Sequence, residues 1–177
     1  NTVKEITKNS NIDVLINKKS DKEINLAMVH LSFIAHAFIW GGNKPEKTLP
    51  EVIAKPWVKL ANYLERPPIL SYASYCLHNW YKINKSEPIS LNNVALINNF
   101  LGGVDEDWFV TVHVCIEDAA SEAINAAYKL SRLEEHNKDN DFLKHLQIIS
   151  KSLKKVNFIF SKMPEKCDPY VYYHRVR

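Results

Sequence analysis

Glycine is nearly absent from this chain, and that narrows the fold more than any other feature. Four glycines occur in 177 residues, as two adjacent pairs, Gly41-Gly42 and Gly102-Gly103. Left-handed turn positions, which glycine fills most easily, must therefore be few. The remainder is dominated by long apolar stretches with helical periodicity, so the expected class is all-α, a bundle of several helices. With 46% apolar residues, four Trp, seven Phe and eight Tyr, the chain has material for one ordinary domain with a substantial core.

Charge and cysteine usage exclude several function classes. A formal net charge of +3, with acids and bases mixed, gives no basis for nucleic-acid binding. Cys76, Cys115 and Cys167 lie far apart, with no C-x-x-C or Cys/His metal spacing, and read as reduced core residues of a cytoplasmic protein. No signal peptide is evident, and no uncharged segment is expected to reach the length of a membrane span. A di-iron bundle is disfavoured because no E-x-x-H pair occurs.

Residues 1–20 are polar and read as an arm or the remnant of a small preceding domain. A helix is expected from Ser20 to Trp40, opened by the capping box Ser20-x-x-Glu23, apolar nearly all round, and closed by Gly41-Gly42 as left-handed caps. A second helix opens at Pro50, with Pro56 as an interruption or fresh start and Val58, Leu60, Ala61 and Leu64 as its apolar face. Pro67-Pro68 starts a third, from Ile69 to about Ile83, with Tyr72, Tyr75, Cys76 and Asn79 on one side. Residues 86–99 are a polar connection with a short helix from Leu91. A long helix to about Glu135 follows, then one over Asp141–Met163 with the stripe Phe142, Leu146, Ile149, Leu153, Val156 and Phe160. Asp168-Pro169 is an N-cap followed by proline at the first helical position.

The stretch D-W-F-V-T-V-H-V-C-I-E-D-A-A-S-E-A-I, residues 107–124, is the best candidate for chemistry. Its acidic start (Asp105, Glu106, Asp107) suits a helix N-terminus. On a helix, Phe109, His113 and Ala120 share a face, with Glu117 one turn beyond His113. A ring and an imidazole four residues apart could wall a flat aromatic guest. The competing reading is a core histidine whose ring nitrogens are satisfied by neighbours. Tyr173 and Arg177 are likewise four apart near the end of the chain.

Four segments in this order resemble the indoleamine 2,3-dioxygenase family of haem proteins: I-A-H-A-F-I-W-G (34–41), R-P-P-I-L-S-Y-A-S-Y-C-L-H-N-W (66–80), W-F-V-T-V-H-V-C-I-E-D-A-A-S-E-A-I (108–124) and D-P-Y-V-Y-Y-H-R-V-R (168–177). The resemblance covers about residues 20–177 and implies that residues 21–177 form the first half of the family's large helical haem-binding domain. It implies haem b as cofactor, O2 and L-tryptophan or a related indole as substrates, and opening of the indole C2–C3 bond to N-formylkynurenine. Mammalian members carry serine at the position of His113; histidine there is similar to bacterial relatives and the sister tryptophan 2,3-dioxygenases, which present F-x-x-x-H and Y-x-x-x-R pairs to substrate. Both pairs stand here, as Phe109 with His113 and Tyr173 with Arg177.

On that resemblance His113 is the catalytic residue, and Phe109, Arg177, Tyr173, Tyr172 and Tyr72 contact substrate. Tyr75, Phe109 and His113 face the cofactor; for Tyr72 and Tyr75, core aromatics with satisfied hydroxyls stand as an equal alternative. Arg177 would clamp the substrate carboxylate, with Tyr173 supporting it. The family's proximal iron ligand belongs to its C-terminal half, so no residue of this chain is nominated as a metal ligand. That half, or a companion chain, is the expected partner, and a homo-oligomer is left open. Two other functions compete: a haem monooxygenase of another indole, and a non-catalytic helical module binding an indole or a protein.

Overall fold

Apolar residues spaced three and four apart build the first long helix, α1 (Asp21–Trp40), and set one side of it against α2 (Glu51–Tyr63). The computed structural model describes residues 16–17, 21–132 and 138–176. It divides into two units, Asn1–Asn79 and Trp80–Arg177. The proposed Ser20 cap lies outside the described residues.

In the first unit, Ile24, Met28 and Ala35 of α1 pack with Ile53, Trp57, Leu60 and Ala61 of α2. Burying the Trp57 indole requires a partner for its N–H, and Nε1 donates to Ser32 Oγ at 3.0 Å. Several expectations are corrected here. α1 is buried on one side only, because this unit gives it one long partner; Leu26 and Phe38 are exposed and Trp40 is 64% exposed. By length and composition α1 could cross a membrane, as the core helix of a soluble protein also can. Gly41 and Gly42 are not left-handed: the positive-φ glycines are Gly102 (74°) and Gly103 (97°). Gly41 N–H instead continues the turn to the Ala37 carbonyl at 2.9 Å, so closely that a Cβ would strike that oxygen.

Pro56 lies inside α2 without interrupting it. The buried face is Ile53, Trp57, Leu60 and Ala61, while Val58 is 42% exposed. α2 ends in a Schellman arrangement, with Arg66 N–H on the Ala61 carbonyl, Glu65 N–H on that of Asn62, and Glu65 at φ 53°. The expected third helix shrinks to one π turn, Ala73–Leu77. Pro67-Pro68 is followed by tight bonds, Ile69 N–H to Pro67 O and Ser71 N–H to Ile69 O, which delay helical geometry until Tyr72.

The second unit opens with a short antiparallel ribbon rather than more helix. β1 (Trp80–Lys82) pairs with β2 (Val94–Leu96), with Trp80 opposite Leu96 and Lys82 opposite Val94. The helix expected from Leu91 is therefore absent; its place is taken by a turn locked by buried Asn93. The Asn93 amide donates to the carbonyls of Asn84 (3.0 Å) and Pro88 (2.9 Å) and accepts from Asn84 N–H (2.7 Å).

α3 (Val104–Leu130) packs along α4 (Lys138–Phe160). The seam on α4 is not the predicted stripe. Ser152 is fully buried and donates to the Ala119 carbonyl at 2.5 Å. Ile149 and Val156 stay half-buried, but Phe142, Leu146, Leu153 and Phe160 are exposed. At 100° per residue the seam lies about a quarter turn from the stripe's centre. The smallest side chain lets the helices approach closest, so Ser152 rather than Leu153 sets the contact. The mostly helical architecture agrees with the expected all-α class.

Candidate active site

The first two turns of α3 act as a hub for the second unit. Glu106 is 0% exposed and receives three consecutive backbone donors. Its Oε1 accepts from Phe100 N–H (2.9 Å), and its Oε2 from Leu101 (3.0 Å) and Gly102 (2.9 Å). Gly102 and Gly103, both at positive φ, let the chain curl so that these N–H groups converge. The sequence signal was the Gly-Gly pair followed by acids; reading those acids only as partners of the helix dipole missed the buried anchor.

Two further hub residues reach far along the chain. Trp108 Nε1 donates to the Lys162 carbonyl at 2.8 Å, and Lys166 Nζ lies 4.4 Å from the Trp108 ring centroid. Asp105 Oδ1 accepts from Asp168 N–H at 2.7 Å. Asp168 is the N-cap expected from the sequence: its carboxylate accepts from Tyr170 N–H (2.8 Å) and Val171 N–H (3.0 Å). The helix it starts, Pro169–Val171, loosens at once into a π turn, Tyr172–Val176. Cys167, buried at this junction, has its thiol pushed above the ordinary range by burial, then by Asp105 and Asp168.

This anchoring brings three of the predicted site residues together. Phe109 lies 4.3 Å, centroid to centroid, from His113 and 4.0 Å from Tyr172, on which it stacks at 21°. His113 Nδ1 is 2.7 Å from the Phe109 carbonyl oxygen. A carbonyl only accepts, so Nδ1 carries the proton, and in the neutral ring Nε2 is the accepting nitrogen. Phe109, His113, Glu117 and Ala120 are all half-buried, whereas Trp108, Val110, Thr111, Val112, Val114 and Cys115 are buried. The face carrying the ring and the imidazole is thus the less covered side of this half of α3.

Tyr173 is 60% exposed and meets His174 edge-on at 4.9 Å. Arg177 lies outside the described residues. In the first unit Tyr75 stacks on Phe33 at 5.9 Å, and Tyr72 is 44% exposed. Cys76, Cys115 and Cys167 are buried free thiols, as expected. Burial and then Asp118 push the Cys115 thiol up to about 11. No cluster of three or more His, Cys, Asp or Glu side chains suited to a metal occurs among the described residues.

A cleft of about 510 Å³ opens on the opposite side of α3, between Cys115, Asp118 and Glu122, the loop at Ser90, and Lys155 of α4. By helical angle it backs away from His113 and does not belong to the ring cluster.

Comparison with known proteins follows the same residues. The indoleamine 2,3-dioxygenase family model matches residues 3–177. The chain is 36% identical over 154 residues to indoleamine 2,3-dioxygenase 1 of Rattus norvegicus, covering 86% of this chain and 38% of that protein. It is 32% identical over 163 residues to indoleamine 2,3-dioxygenase of Saccharomyces cerevisiae, covering 88% and 36%. With indoleamine 2,3-dioxygenase nanC of Aspergillus nanangensis it shares 31% over 157 residues, covering 85% and 38%. The chain spans less than half the length of these relatives.

Proposed function

This chain belongs to the indoleamine 2,3-dioxygenase family, and from that premise we propose that it supplies the substrate-facing part of a haem dioxygenase acting on L-tryptophan or a related indole. The observation that carries the proposal is the Phe109, His113 and Tyr172 cluster on the less covered face of α3. Such a wall suits one side of a flat, apolar cofactor, and Phe109 and His113 are the residues that would face it. Haem, when bound, activates O2 for insertion across the indole C2–C3 bond, giving N-formylkynurenine. The axial donor is proposed to come from the C-terminal half of the family domain or a companion chain, outside residues 1–177. The exposed stripe Phe142, Leu146, Leu153 and Phe160 supports such a covering partner.

This chain's residues then bind and orient. Phe109 and Tyr172 offer aromatic surface to the indole by offset or edge contact. His113, with Nδ1–H held by the Phe109 carbonyl, aims an accepting Nε2 and can take or hold the indole N–H proton. Arg177 is proposed to clamp the substrate carboxylate through a bidentate, charge-assisted pair, with Tyr173, four residues earlier, as support. Tyr72 and Tyr75 are proposed, on the resemblance alone, as substrate- and cofactor-lining residues.

The test is turnover by the haem-loaded protein that includes the C-terminal half or companion chain supplying the axial donor. L-tryptophan should yield a product carrying both atoms of one O2, and His113→Ala should lower kcat by about a hundredfold or more with haem content kept. Arg177→Ala should erase the preference for tryptophan over tryptamine. A product with one added oxygen would favour the monooxygenase reading, and no Soret band with haem supplied would favour the non-catalytic one.

A further inference from the structure

The rings of the candidate site come from segments some sixty residues apart in sequence, and something must hold them in register. Phe109 is fixed by its helix. Tyr172 sits in a short π turn in which no residue is fully buried; its own ring is half-buried against the cluster of Trp108, Val112 and Cys167, which leaves the angle of the turn to be set by the backbone leading into it. Two side chains of α3, three residues apart and so on neighbouring helical positions, reach the segment leading into that turn. Trp108 grips the Lys162 carbonyl, and Asp105 takes the Asp168 N–H. The second point matters more for orientation, because Asp168 is the residue whose carboxylate starts the turn. Holding its backbone sets the angle at which Pro169–Val171 runs on from its contact with α3, and with it the position of Tyr172.

We propose that Asp105 is a positioning residue for substrate: by accepting the Asp168 N–H it seats the terminal turn so that Tyr172 stacks on Phe109, which fixes the aromatic wall that receives the indole. This rests on the reading of the site given above. Asp105 touches no reacting atom; it acts through Asp168 and Tyr172. Its acid character is not required, only an acceptor oxygen at that place, so asparagine should serve and alanine should not.

The experiment compares wild type with Asp105→Ala and Asp105→Asn by two readouts. Amide hydrogen exchange at Asp168 and Val171, measured without haem, reads the anchor. Tryptophan KM and kcat, with the Kd from the Soret change on adding L-tryptophan, read the wall in the haem-loaded protein. Asp105→Ala should speed exchange at Asp168 and raise KM and Kd about tenfold, the size of effect that loss of one such hydrogen bond carries, with kcat within about twofold. Asp105→Asn should restore both. Wild-type KM in Asp105→Ala, or an Asn variant as impaired as Ala, overturns the proposal, as does an equal fall in kcat and haem content, which marks a general structural role. Should Asp105→Ala not fold, Asp105→Glu moves the acceptor by one methylene and carries the comparison, with about a threefold rise in KM expected and none overturning it. A wild-type protein that binds no indole sinks the reading of the site itself, whereas wild-type binding left untouched by Asp105→Ala sinks the positioning role alone.

Discussion

Replacing Glu106 by glutamine changes one atom of a side chain that bonds three consecutive backbone donors, and its cost can be worked from the geometry. Oε2 serves Leu101 and Gly102 at 3.0 and 2.9 Å, and Oε1 serves Phe100 at 2.9 Å. Glutamine keeps one acceptor oxygen. Turned to keep the Leu101 and Gly102 pair, it sets its own NH2 against the Phe100 N–H at the shorter contact. That donor keeps only its longer contact, 3.2 Å to the retained oxygen, so a two-point charge-assisted bond is reduced to a long neutral one beside a second donor. That reduction costs about 1.5–3 kcal/mol, and the two kept bonds weaken as the acceptor loses its charge. The smaller desolvation of an amide offsets part of this. The net expectation is a loss of about 2–3 kcal/mol for Glu106→Gln and about 3–5 kcal/mol for Glu106→Ala, which leaves all three donors unmatched. In urea, with a slope of about 2 kcal/mol/M, the Gln variant should unfold about 1 M earlier with the slope unchanged. Amide exchange at Leu101 and Gly102 should locate the loss at the entry to α3. A Glu106→Gln protein within about 0.5 kcal/mol of wild type, with those amides still protected, would refute the claim that this carboxylate holds the turn.

Asn93→Ala should destabilise the second unit by about 2–3 kcal/mol, since it strips partners from the carbonyls of Asn84 and Pro88 and from the Asn84 N–H; a thermal melt matching wild type would contradict this. Glu65→Gly should stabilise the first unit by about 0.5–1 kcal/mol, because Glu65 holds φ 53° at a helix end that favours glycine; denaturant unfolding reads the sign directly. Burial pushes the Cys115 thiol up to about 11 from an ordinary 9.0, and the side chain is almost wholly covered, so at pH 8 its alkylation should be at least about a hundredfold slower than that of an ordinary exposed thiol. Its proton is held more tightly folded than unfolded, so its contribution to stability is whole below pH 9.0 and is lost as pH rises through about 11. A Cys115→Ala variant should flatten that alkaline decline, and an unchanged profile would reject the assignment.

What the sequence disclosed follows the range of the interactions involved. Helices α1, α3 and α4 were legible because each is specified by its own periodicity, and Asp168-Pro169 because a cap is a contact among neighbours. The ribbon from Trp80 was misread as helix because an apolar, aromatic run of that length suits either state until pairing with residues 94–96 decides. The α4 seam was misread for a related reason. Hydrophobicity marks which side of a helix avoids water, but the closest approach between two helices goes to the smallest residue, and Ser152 looks polar in sequence.

The candidate site divides in the same way. Four-residue spacing on α3 brought Phe109 to His113, as a helix must. The bond from His113 Nδ1 to the carbonyl four residues earlier adds little to its case, because His36 and His145 make the same bond to Ser32 and Asp141. It is a habit of histidine on a helix. His36 is half-buried too and meets the Trp57 ring edge-on at 6.0 Å, so a neighbouring ring alone does not single out His113. What does is that its ring neighbour, Phe109 at 4.3 Å, is itself stacked on Tyr172 from a distant segment. The Tyr172 contact depends on a turn whose backbone Asp105 holds across 63 positions of sequence. No local pattern encodes that span. A substitution at Asp105, outside the ring cluster altogether, is therefore a sharper probe of whether these rings form one wall than removal of any ring, which would delete the wall and its test together.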